Sequence, residues 1–174
     1  MKDIVLIAHN IRSTHNVGSL LRTAECLGVN DVYLTGYTPY PKIADDPRLP
    51  HLANKIHNQI AKTSLGAEQY LQIIANQSLS GCINVLKRRG YEIVGLEQTN
   101  DSIDILDFKP PKALALIVGN ERYGIDNDTL KLCDKVIQIP MKGRKESLNV
   151  VQATAVALYG ISYLKTTFSI PNKA

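Results

Sequence analysis

Cysteine is scarce in this 174-residue chain. Cys26, Cys82 and Cys133 lie far apart and form no Cys-x-x-Cys pair, so neither a zinc cluster nor a disulfide framework is expected, and the thiols read as reduced and buried. The four histidines, His9, His15, His51 and His57, include no i, i+4 pair suited to a helix-borne metal site, and no catalytic metal is expected. Long apolar runs are missing as well. The longest is ALALIV, Ala113 to Val118, far short of the roughly 20 residues that span a bilayer. The opening MKDIVLIAHNIR meets a polar His-Asn too early for a signal-peptide core. The expectation is a cytoplasmic protein with no membrane partner.

What is present is an ordinary globular composition, 44% apolar and 21% charged, long enough for one domain over residues 1–174 with a substantial core. IVLIA (Ile4–Ala8) predicts a buried strand. Val17, Leu20, Leu21, Ala24 and Leu27 recur at helical spacing up to Gly28, and VYLT (Val32–Thr35) restores strand character. This β-α-β order predicts an α/β fold, a mostly parallel sheet flanked by helices. From Gly36 to about Ala67 the pattern fails among four prolines, predicting a long surface excursion. A helix over Leu79–Arg89 follows, then a strand over Tyr91–Glu97, the strand Ala113–Val118, a short helix near Asn127–Cys133 and a strand over Lys135–Ile139. Val150–Leu164 is apolar on most sides, as expected of a helix buried in the core or against a second subunit.

The informative residues cluster after strands, at HNIRSTHNVGSLLR, GNERYG and PMKGRKESLN, where open parallel sheets bind ligands. Common signatures are absent there. Gly18 stands alone in NVGS, which disfavours a dinucleotide or Rossmann-type methyltransferase site, and no P-loop occurs. There is no G-x-S-x-G, and Ser147 has no histidine in its own motif, which weakens a hydrolase reading. Glu121 and Glu146 offer little for a two-carboxylate glycosidase. By local rules Asn16 and Ser147 read as N-caps of the helices that follow them. The net charge of +4 is a mild bias toward polyanions, and Lys142/Arg144/Lys145 and Lys87/Arg88/Arg89 are compact basic groups that could contact phosphate.

Three motifs, N-x-R-x-x-x-N-x-G-x-x-x-R-x-A (Asn10 to Ala24), I-V-G-N-E-x-x-G (Ile117 to Gly124) and I-P-M-x-G-x-x-x-S-L-N-V (Ile139 to Val150), occur in order. Together they resemble the signature motifs of the SpoU (TrmH-type) RNA ribose 2′-O-methyltransferases of the SPOUT class. The resemblance implies a deep C-terminal trefoil knot, S-adenosyl-L-methionine as cofactor, and a homodimer with the active site between subunits. It implies cofactor contacts at Leu96, Glu97, Gly119, Ile139, Met141, Ser147 and Leu148. It assigns Arg22 the catalytic arginine position, supported by Asn16, Glu121, Ser147 and Asn149. Arg12, Lys142, Arg144 and Lys145 are the implied RNA contacts. The expected substrate is structured RNA, with tRNA favoured over rRNA; the alternative is a non-catalytic RNA-binding protein of the same fold. Many relatives carry an additional RNA-binding domain or terminal helices, and this chain is expected to be close to the bare catalytic unit.

Overall fold

The run Ile4–Ala8 forms the buried centre of strand β1 (Asp3–His9), closed in on both faces as a strand inside a parallel sheet must be. The computed structural model describes residues 2–163. After β1 come α1 (Thr14–Cys26), β2 (Asp31–Thr35), α2 (Pro50–Ser64), β3 (Gln72–Gln77), α3 (Leu79–Arg88), β4 (Glu92–Leu96), β5 (Ile103–Asp104), β6 (Ala113–Val118), α4 (Asn127–Leu130), β7 (Lys135–Gln138) and α5 (Val150–Tyr163). The strands form one parallel sheet in the order β3-β2-β1-β6-β4-β7-β5. Chain order reverses between β1 and β6, which makes the carboxyl ends of those two strands the switch point of the sheet.

Alternation along β1 sorts the two sides. Ile4, Leu6 and Ala8 join a core with Leu20, Leu21 and Ala24 of α1, Ile60 of α2, and Ala157, Leu158 and Ile161 of α5. Val5 and Ile7 face the other way, onto Cys82, Ile83 and Leu86 of α3. Helix α5 is buried on one side only: Val156, Tyr159 and Tyr163 are exposed, and the rings of Tyr159 and Tyr163 lie 5.0 Å apart.

The stretch 36–67 is not a continuous excursion. Pro50 opens the 15-residue helix α2, where a missing N–H costs nothing in the first turn. Besides the left-handed turn at Leu65 and Gly66, residues 36–49 remain irregular, and they are pinned by Arg48. Its guanidinium stacks 3.6 Å from the Tyr40 ring centroid, donates to the carbonyls of Tyr40 and Pro41, and pairs with Asp46 at 2.6 Å. Strands β3 and β5 were not expected from the sequence. The predicted last residue of the final helix, Leu164, lies outside the described residues.

Candidate active site

Helix α1 starts earlier than its apolar spacing suggests. Ser13, in an extended conformation, is the N-cap and accepts from the Asn16 backbone N–H. Asn16 is therefore not the cap; it sits in the first turn, which frees its amide for another partner. That partner is Glu121, at the carboxyl end of β6. Asn16 Nδ2 donates to Glu121 Oε1 at 2.9 Å, and the backbone N–H groups of Arg12 and Ser13 donate to the same carboxylate at 2.9 and 3.0 Å. A carboxylate thus seats on the positive end of a helix across the switch point. Burial alone would raise the Glu121 pKa, but the three donated bonds more than offset it and hold the carboxyl below its ordinary value.

The neighbouring Asn120, only 6% exposed, fixes the turn that presents Glu121. Its Oδ1 accepts from the N–H groups of Arg122 and Tyr123, at 2.8 and 2.9 Å. Its Nδ2 donates to the Asn10 carbonyl and to the Tyr37 hydroxyl, at 3.0 and 2.9 Å. Asn10 adopts a left-handed conformation, φ 57°. Its side chain accepts from Tyr37 N–H and bonds His9, which in turn bonds Thr35. Burial lowers the His9 pKa, against a smaller opposing pull from Asp126. Sequence reasoning missed Asn120 as a site residue, along with Tyr37 and His9. Their roles depend on three strand ends meeting, and only the motif spelling Gly-Asn-Glu hinted at the first.

Beside this seam, the carboxyl ends of β4, β6 and β7 and the entry to α5 enclose a cleft of about 260 Å³. Leu96, Glu97, Gly119, Ile139, Met141, Ser147 and Leu148 all line it, so the seven residues singled out from the sequence share one space. Two glycines make the close approach there. A Cβ on Gly119 would stand 2.4 Å from the Gly124 carbonyl oxygen, and Gly124, at φ 65°, is pressed against the Glu97 carboxylate. Glu97 in turn accepts from Ile125 N–H at 2.7 Å and from Gln98 N–H at 2.9 Å.

The remaining candidates are spread around this frame. Ser147 lines the cleft but does not cap α5. The cap is Asn149, whose Oδ1 accepts from Val151 N–H and whose carbonyl accepts from Ala153 N–H, both at 2.9 Å. Arg22 is exposed on α1 and makes no hydrogen bond or ion pair among the described residues. Arg12, Lys142, Arg144 and Lys145 are likewise exposed, and among the described residues none forms an ion pair. The other basic group differs. Lys87 pairs with Asp134 at 2.7 Å, and Arg89 reaches Asp31 at 3.8 Å and stacks over Tyr91. Asp31 opens β2 and Asp134 precedes β7, so this group lies at the amino ends of the strands, away from the cleft. Among the described residues no cluster of His, Cys, Asp or Glu could hold a metal ion.

The sequence profile of the SpoU rRNA Methylase family matches residues 3–159. A Staphylococcus saprophyticus protein assigned to the TrmH family of tRNA/rRNA methyltransferases is 32% identical over 157 residues, covering 90% of this chain and 57% of its own length. The chain therefore spans somewhat more than half of that curated relative. The SpoU methyltransferase AviRb from Streptomyces viridochromogenes, solved in complex with the cofactor AdoMet, superposes with a TM-score of 0.75 at 25% identity, covering 93% of this chain and 60% of that one. The A. aeolicus TrmH/SpoU tRNA modifying enzyme gives the same TM-score and identity, over 93% of this chain and 75% of its own. The family profile and the superposed structures agree: this chain belongs to the SpoU rRNA methylase family.

Proposed function

We propose that this protein transfers a methyl group from S-adenosyl-L-methionine to a ribose 2′-hydroxyl of structured RNA, with tRNA favoured over rRNA. The observation that carries the reading is the cleft lined together by Leu96, Glu97, Gly119, Ile139, Met141, Ser147 and Leu148. Its walls suit the cofactor: Leu96, Ile139 and Val150 offer apolar surface to a purine, and the bare backbone at Gly119 leaves peptide groups free to bond it. The cofactor, when bound, supplies an electrophilic sulfonium methyl group.

The protein's own groups do the positioning. Arg22 grips the phosphate next to the reacting ribose and stabilises the oxyanion as it develops. A guanidinium holds its proton far into the alkaline range, so we assign the departing 2′-hydroxyl proton to bound water. Glu121 and Asn16 lock the start of α1 against β6, which sets the direction of the helix that carries Arg22. Ser147 and Asn149 hold the ribose in line at the other wall, where misplacement by about 1 Å can cost on the order of a hundredfold. Arg12, Lys142, Arg144 and Lys145, unpaired among the described residues, suit an RNA backbone.

Arg22 bonds none of the other four in its own chain, and α5 exposes Val156, Tyr159 and Tyr163. Both observations support a homodimer in which one copy's Arg22 meets the partner's cleft. Calorimetric titration with S-adenosyl-L-methionine, followed by labelled-methyl transfer to bulk tRNA and rRNA, tests the activity. Arg22→Ala should abolish transfer and spare cofactor binding. Mixing Arg22→Ala with Ser147→Ala subunits should restore part of the rate, and no restoration would remove the shared site. RNA binding without label incorporation would favour a non-catalytic RNA-binding protein.

A further inference from the structure

Glu121, Arg122 and Tyr123 are consecutive on one turn, yet only the first has a role so far. The turn is held by backbone groups. Asn120 and Gly124 exchange N–H···O bonds at 3.0 and 2.9 Å, Asn120 Oδ1 takes the Arg122 and Tyr123 amides, and Glu97 takes the Ile125 amide. None of these bonds uses the Arg122 or Tyr123 side chain, so the fold does not require their identities. Even so, Tyr123 stands 73% exposed, with the Arg122 guanidinium 5.4 Å from its ring centroid, and both residues rim the cleft. A ring that open cannot be chiefly a wall of the cleft.

We infer that Tyr123, flanked by Arg122, is a stacking platform for an unpaired nucleobase of the bound RNA, with Arg122 reaching the adjoining phosphate. This rests on the RNA reading above and specifies how the strand is held. RNA loops are recognised by splaying bases onto aromatic faces and guanidinium planes, and a platform on a pre-ordered turn loses little freedom on binding. The surrounding charge agrees. Arg122 lines the cleft, Arg12 gives its backbone N–H to the lining residue Glu121, and Lys142, Arg144 and Lys145 lie on the loop between the lining residues Met141 and Ser147; none is in an ion pair among the described residues. Stacking accepts any base, so the platform would hold the strand without selecting its sequence.

The test uses full-length protein with bulk tRNA, read by filter binding over a salt series, alongside calorimetry with S-adenosyl-L-methionine and sedimentation. Tyr123→Ala should weaken RNA binding by about fivefold to about 150-fold, which is stacking's ~1–3 kcal/mol per base at tenfold per 1.4 kcal/mol. Tyr123→Phe should bind as wild type. Cofactor affinity, mass and salt slope should be unchanged in Tyr123→Ala, whereas Arg122→Ala should reduce the salt slope by about 1. Unchanged RNA binding in Tyr123→Ala, a loss that phenylalanine does not restore, or a loss accompanied by weaker cofactor binding or a smaller mass would overturn the inference. If wild type binds cofactor and bulk rRNA but not tRNA, the same variants are read on rRNA. If it binds neither RNA, this inference and the RNA reading fail together; a defect confined to Tyr123 leaves that reading intact.

Discussion

Replacing Gly18 with alanine probes the seam between α1 and α2, on which the placement of Asn16 and Arg22 depends. A Cβ there would lie 2.3 Å from the Ile60 carbonyl oxygen and 2.2 Å from Thr63 Oγ1. An ordinary contact needs about 3.5 Å, so the two helices would have to part by about 1 Å. Forcing atoms into a packed site costs about 1–3 kcal/mol, and a carbonyl that cannot rotate away puts this case near the upper end. Alanine returns about 1 kcal/mol of helix propensity, leaving a net loss of about 2 kcal/mol. For a domain of this size that lowers Tm by about 4–8 °C. Thermal melting followed by circular dichroism measures it. Thr63→Ala in the same background removes the hydroxyl clash but not the Ile60 carbonyl, so it should recover only part of the loss. A Tm equal to or above wild type in Gly18→Ala, or full recovery in the double variant, would refute a tight helix crossing.

Other outcomes follow from the same contacts. The lowered Glu121 pKa means that its contribution to stability is complete above the unfolded carboxylate range and fades as pH falls through that range to the folded value. Glu121→Gln should therefore flatten the acid limb of a stability–pH profile measured by denaturant titration, while presenting an amide N–H to donors that expect an acceptor. Asn120→Asp removes the Nδ2 bonds to Asn10 and Tyr37, and urea titration should show a loss of about 1–3 kcal/mol, as for a buried partner left unsatisfied. Arg48→Lys breaks the stack on Tyr40 and the bonds to two carbonyls. Amide hydrogen exchange should speed up across residues 40–49 while β1 and β6 remain protected.

Much of the fold was legible because parallel strands write themselves as apolar runs: Ile4–Ala8 and Ala113–Val118 sit within β1 and β6. Helix α2 was hidden by the prolines that precede and open it, although Ala53, Ile56, Ile60 and Ser64 already kept helical spacing and Pro50 marks its first turn. Strand β3, at the sheet edge, offers only Ile73, Ile74 and Ala75 among glutamines and asparagine, too short and too polar to declare itself. The cleft residues were legible only through motif resemblance. The caps misled because Ser13 and Asn149 lie within one helical turn of equally good candidates, Asn16 and Ser147, and a cap is decided by which hydroxyl or amide meets a free N–H. For Asn120 the sequence offers only its place in Gly-Asn-Glu, since its four partners come from residues 10, 37, 122 and 123.

The order of the strands also bears on how the chain emerges from the ribosome. Strand β1 has β2 on one flank within the first 35 residues, but its other flank waits for β6, which begins at residue 113. Throughout that interval a central, apolar strand presents an open row of peptide groups, a template for pairing with another nascent chain. Slow translation between residues 35 and 113 should therefore favour misassembly, and a holdase that shields this edge should raise the yield of folded protein.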